Sequence, residues 1–152
     1  MASVVAAHPV LDAILTAVTA AFAGRTFMSG TMGVATISVH EGQAAQLAPK
    51  PYVIVGGNTS ENPLHTLGPA TGAKFGATVT VPIRLVTQYP TTERQTYAMF
   101  EALKSALDGQ KIAIAGFGRV LVECGFGQLL TDTVNGVATR ELVAPFDVTV
   151  HQ

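Results

Sequence analysis

The sequence predicts an α+β fold: two helices packed on one face of a largely antiparallel sheet of about four strands, with a long loop between the first two strands. Three observations point there. Two segments repeat apolar residues at helical spacing, two others alternate apolar and polar residues, and an Asn135-Gly136 dipeptide joins the last two strand-like runs as a tight hairpin. A chain of 152 residues suits one domain, taken as 1–152.

The first helix follows from Val10, Leu11, Ile14, Val18, Ala21 and Phe22, which fall on one face, with Asp12, Thr16 and Thr19 away from it. Pro9 suits its start and Gly24 its stop. Residues 25–49 are punctuated by Gly30, Gly33 and Gly42 and read as a loop with one short strand near Val34 to Val39. Tyr52 to Val55 is a short buried strand ended by Gly56-Gly57-Asn58. A loop over 58–74 follows, longer than an ordinary connection and therefore expected to have a working role.

The clearest strand alternates Ala77, Val79, Val81, Ile83 and Leu85 with Thr78, Thr80, Pro82, Arg84 and Val86. Pro82 cannot donate to a ladder, so an edge or a bulge is expected there. Residues 92–108 form the second helix, with Thr92 and Gln95 at capping-box spacing, Gly109 as stop, and Met99, Phe100, Leu103, Ala106 and Leu107 as its core stripe. Arg119 to Leu130 and Gly136 to Val150 complete the sheet, the latter pointing Ala138, Leu142, Ala144, Phe146, Val148 and Val150 inward.

Composition narrows the function. The chain is 48 % hydrophobic and 12 % charged, against a usual charged share of about 25 %. That excludes a disordered tail, a coiled coil or a highly charged nucleic-acid binder. A monomer of this mass exposes about 7,300 Å², thinly covered by nine basic and ten acidic side chains. Apolar surface in that surplus implies contact with other subunits or partners. The apolar run 10–24 lacks a preceding Lys or Arg, is interrupted by Asp12, and is too short to span a bilayer. A soluble protein assembled in the cytoplasm, with no membrane partner, is expected.

Site chemistry is sparse. His40-Glu41 opens like a zinc-protease motif, but Ala44 stands where the second histidine is required. Gly68 to Phe75 has the wrong glycine spacing for a phosphate loop, and Phe75 replaces the magnesium-holding hydroxyl. The two Gly-Phe-Gly runs at 116–118 and 125–127 lack the third glycine of a dinucleotide fingerprint and fit strand bulges better. Cys124 is the lone cysteine, which excludes an internal disulfide. No catalytic residue, metal or cofactor is expected.

From Pro51 onward, PYVIVGG (Pro51 to Gly57), TVTVPIRLVTQYP (Thr78 to Pro90), TYAMFEALKSALDG (Thr96 to Gly109) and the closing FDVTV (Phe146 to Val150) form a pattern. This order resembles the tail terminator, or tail completion, proteins of long-tailed bacteriophages and gene transfer agents. The resemblance implies a structural virion protein: a homo-oligomeric ring, a hexamer, at the head-proximal end of the tail. Such a ring ends growth of the tail tube and joins the tail to the head connector or stopper protein, while genomic DNA passes through the lumen without specific binding. Within the long loop, Leu64, His65, Leu67 and Phe75 are the expected apolar contacts. Two alternatives share the element order: another head–tail neck or connector protein, and a cytoplasmic ferredoxin-like small-molecule-binding module, which ligand-dependent thermal stabilisation would reveal.

Overall fold

The fold is described over residues 6–23, 26–28, 34–44, 51–63, 76–88, 92–125 and 127–152 of a computed structural model. Its elements in order are α1 (Ala7–Phe22), β1 (Thr26–Met28), β2 (Val34–Thr36), β3 (Ser38–Glu41), β4 (Tyr52–Val55), β5 (Ser60–Pro63), β6 (Gly76–Gln88), α2 (Glu93–Leu107), β7 (Arg119–Cys124), β8 (Gln128–Val134) and β9 (Val137–His151). The class is α+β, as the patterning predicts. The strand count is not: the described residues hold a seven-stranded sheet and a separate pair, β1 with β2, where about four strands were expected. The one short strand expected near Val34 to Val39 is two, β2 and β3, while β1 and β5, of three and four residues, are too short for period-2 alternation to register above loop composition. The sheet is also mixed, because β3 joins β4 in parallel while every other pair is antiparallel.

Two long strands, β6 and β9, form the spine and pair along the whole of β6, from Gly76 opposite His151 to Gln88 opposite Thr139. On one side of this spine lie β4 and β5, both paired to β6; on the other lie β7 and β8, both paired to β9. Both helices cover the same face. That face buries Val79, Val81, Ile83 and Leu85 from β6 and Leu142, Ala144, Phe146 and Val148 from β9. Against them pack Val10, Ile14, Val18 and Phe22 of α1 and Met99, Leu103 and Leu107 of α2.

The helix ends follow different rules. In α2 the expected capping box is present: Thr92 Oγ1 accepts from the Gln95 N–H and Gln95 Oε1 accepts from the Thr92 N–H. A buried Thr87–Thr96 hydroxyl pair at 2.9 Å ties its first turn to β6. α1 begins at Ala7, two residues before Pro9, which costs nothing because first-turn amides have no helical partner. Its N-cap, Ala6, has no side chain to offer. Instead, Oε1 of Glu61 on β5 accepts from the backbone N–H of Ala6 and from that of Ala7, the latter at 2.9 Å.

Pro82 sits inside the sheet and not at an edge, which corrects half of the sequence expectation. It stands in register with Pro145 across the spine. The Pro82 carbonyl accepts from the Gly56 N–H at 2.9 Å and the Pro145 carbonyl from the Gly125 N–H at 2.7 Å. Both carbonyls therefore point away from the spine, and so would the missing N–H groups, making this a pair without mutual hydrogen bonds. Each flanking strand is bulged at this level. Between Val55 and Ser60 the β4–β5 side carries two residues more than the stretch of β6 from Ile83 to Thr80 that it faces. Between Cys124 and Gln128 the β7–β8 side gains one on β9. The bulges lie where the prolines have no donor to give, so the ladder loses little there.

Candidate functional site

The one-residue bulge has a geometric consequence. Before it, even-numbered residues of β7 point to the helices, as buried Val122 shows; after it, odd residues do, and Leu130 turns to the opposite face, 47 % exposed. Beyond Leu129 the helix layer no longer reaches. Thr131 and Thr133 on the helix side and Leu130 and Asp132 on the other are all exposed, so β8 and the start of β9 project as an arm open on both faces. The arm closes through the expected Asn-Gly turn. Asn135 at φ 51° and Gly136 at φ 76° are both left-handed, as a two-residue turn matched to strand twist requires.

Beside the arm is a hollow of about 570 Å³, bounded by Gln88, Leu130, Asp132, Val137, Thr139 and Glu141 among others. It is continuous with the sheet face away from the helices, whose polar groups are largely satisfied among themselves. Thr80 Oγ1 donates to Asp147 Oδ1 at 2.6 Å, the Thr78 and Thr149 hydroxyls meet at 3.3 Å, and Arg84 reaches both Glu141 Oε1 and the Gly42 carbonyl at 3.4 Å. With about a third of each side chain exposed, the Arg84–Glu141 pair adds little stability.

On β3, Ser38 Oγ lies 3.1 Å from His40 Nε2, and the His40 ring meets Tyr52 edge-on with centroids 5.6 Å apart. A hydroxyl–imidazole pair two residues apart is what one face of a strand produces by its repeat. No carboxylate is bonded to the other ring nitrogen among the described residues to make it a triad. Among the described residues no three His, Cys, Asp or Glu gather in a way that would hold a metal ion, and no helix is long and apolar enough to cross a membrane. Cys124 is half-buried; burial pushes its thiol above the usual range, the Lys104 charge pulls it back, and Asp108 adds to the rise. Its thiolate is accordingly disfavoured.

The four contact residues expected from sequence, Leu64, His65, Leu67 and Phe75, lie outside the described residues. Their frame is described. The expected loop over 58–74 is shortened at its start, since Ser60–Pro63 is strand β5, paired antiparallel to Gly76–Thr80 with Pro63 opposite Ala77. Pro63 and Gly76, the described residues on either side of 64–75, thus lie at the same end of β6. The β8–β9 arm extends from the opposite, Gln88 end, roughly 40 Å away for a strand of 13 residues. Sequence reasoning found the arm's turn but missed the arm as a surface. The signal was available in Leu129-Leu130, adjacent leucines that a single strand must place on opposite faces.

The chain matches no protein-family model, and no curated protein is similar in sequence. Among solved structures, a chain in the virion of a native gene transfer agent particle shares the fold at a TM-score of 0.58 and 16 % identity. The alignment covers 96 % of this chain and 96 % of that one.

Proposed function

We propose that the chain is a structural component of a phage-like particle with no catalytic role, and that it forms the ring terminating the tail tube and joining it to the head connector. The observation that carries the reading is the end-to-end likeness to a gene transfer agent virion chain, over 96 % of both chains. It is supported by the sparse charge, which suits extensive subunit contacts, and by the exposed β8–β9 arm at the Gln88 end of the β6–β9 spine. In this reading segment 64–75, with Leu64, His65, Leu67 and Phe75, docks at one end and the β8–β9 arm at the other. A hexamer is the proposed closed form. DNA passes its lumen unretained because the nine basic residues are scattered from Arg25 to Arg140 and form no phosphate-gripping run.

Light scattering coupled to gel filtration, followed by negative-stain imaging, tests the assembly. Rings with a central hole are expected. A compact monomer at all concentrations overturns the reading. Deleting Leu64 to Pro69 is expected to leave the domain folded and abolish ring formation or tail joining; a deletion variant that still does both removes the role of that segment.

A further inference from the structure

We infer that the outer edge of β8 is a two-fold self-association surface, pairing with β8 of a second copy in antiparallel register centred on Leu130. This goes beyond the ring, because a two-fold contact closes on itself and cannot propagate one.

A two-residue turn is flanked by a hydrogen-bonded pair, here Val134 and Val137, so the even residues of β8 bond to β9 and the odd ones point to the edge. The Thr133 N–H agrees: it turns outward and takes its own neighbour's carboxylate, Asp132 Oδ1, at 2.8 Å. Leu129 and Thr131 thus present their N–H and C=O groups on a strand that pairs with β9 alone among the described residues.

The adjoining edge of β7 is different. There the Gly109 N–H donates to the Val122 carbonyl and Asp108 Oδ1 accepts from the Cys124 N–H, both at 2.9 Å, so the end of α2 blocks a ladder. The free edge runs from this block to the hairpin tip. It has none of the usual protections of an edge strand, being seven residues long without Lys, Pro or an internal bulge.

The occupant follows from self-complementarity. In an antiparallel two-fold pairing the odd, outward residues must face odd residues, which permits centres only at successive residues of β8. Centred on Thr131, Leu130 would face the carboxylate of Asp132 of the second copy. Centred on Leu130, that leucine faces its own copy, and the Gln128 amide faces the Asp132 carboxylate on both sides. Leu129 then lies opposite Thr131 on the helix-side face. The register thus covers one of three exposed large hydrophobic side chains in the described chain and gives the acidic group an amide donor. In this register the tip, Asn135, comes level with Gly125, where the block by Asp108 and Gly109 begins, so the arm fits the free length of edge.

The test is cysteine trapping in a Cys124→Ser background. Leu130 would occupy a non-hydrogen-bonded pair, where facing Cα atoms are about 4.5 Å apart, within disulfide range. Under mild oxidation Leu130→Cys is expected to give a covalent dimer and nothing larger, while Thr131→Cys, offset from its own copy, is expected to stay uncrosslinked. Thr131→Pro removes an outward donor without touching the β9 ladder and is expected to weaken self-association by at least about tenfold, with unchanged far-UV circular dichroism. Equal crosslinking of the two cysteine variants, or none, overturns the proposal, as does a Thr131→Pro chain that is folded and associates as before. These outcomes are independent of the ring: a ring that forms without Leu130 crosslinks sinks this inference alone, and dimers without rings sink the terminator reading alone.

Discussion

Replacing Glu61 tests how the two halves of the chain are tied together. Its carboxylate is the N-terminal cap of a helix more than fifty residues earlier, accepting from the N–H groups of Ala6 and Ala7, and Ala6 has no side chain able to substitute. Loss of a cap costs about 1 kcal/mol, and loss of a negative charge at a helix N-terminus adds about 0.3–1 kcal/mol. Glu61→Ala should therefore cost about 1.5 kcal/mol, and Glu61→Gln, which keeps an acceptor and loses the charge, about 0.5 kcal/mol. With a urea dependence of about 1–3 kcal/mol per molar, the midpoint of Glu61→Ala should fall by roughly 0.5–1.5 M, with Glu61→Gln between it and the parent. Hydrogen exchange supplies a second readout, since the Ala6 and Ala7 amides should lose protection before the rest of α1. An alanine variant whose midpoint stays within about 0.2 M of the parent would refute the reasoning, for the helix would then be capped by water at no loss.

Two further outcomes are expected. Gly57 has φ of 92°, and a Cβ there would stand 2.7 Å from the carbonyl oxygen of Gly42; Gly57→Ala should destabilise by about 2–3 kcal/mol in urea titration, and a neutral result would mean that the bulge between β4 and β5 can be rebuilt. Because burial holds the Cys124 thiol above its usual range, alkylation of the native protein should be slower than that of the urea-unfolded chain at the same pH. Equal rates would contradict the assignment. The sign for stability follows: the protonated thiol favours the fold, so this contribution is present below the ordinary thiol range and is lost as pH rises through the elevated one.

Local rules were enough for much of the architecture. The helical stripes of α1 and α2, the Thr92–Gln95 box, the Asn135-Gly136 turn and the inward series of β6 and β9 each depend on residues a few positions apart, so spacing and side-chain type decide them. Of the two Gly-Phe-Gly runs expected at strand bulges, the one at 125–127 stands at the bulge between β7 and β8, whereas the one at 116–118 precedes β7 and lies in no strand. Two short strands, β1 and β5, did not stand out, since a run of three or four residues has too little periodicity to separate it from a loop, and the one short strand read near Val34 to Val39 is in fact two, β2 and β3. Pro82 shows the limit clearly. A proline announces that a donor is missing, but only the pairing shows the second proline opposite it and the flanking bulges that make an interior position tolerable.

The candidate surface divides in the same way. From sequence alone came the α+β class, the low charge and the tight turn of the arm, all of which are properties of composition or of neighbouring residues. Tertiary structure decided that Glu61 caps α1, that the end of α2 closes the edge of β7, and that the edge of β8 is left open beyond the helix layer. Those outcomes depend on which backbone donors and acceptors meet across the sheet, and such meetings are set by the three-dimensional register of distant segments.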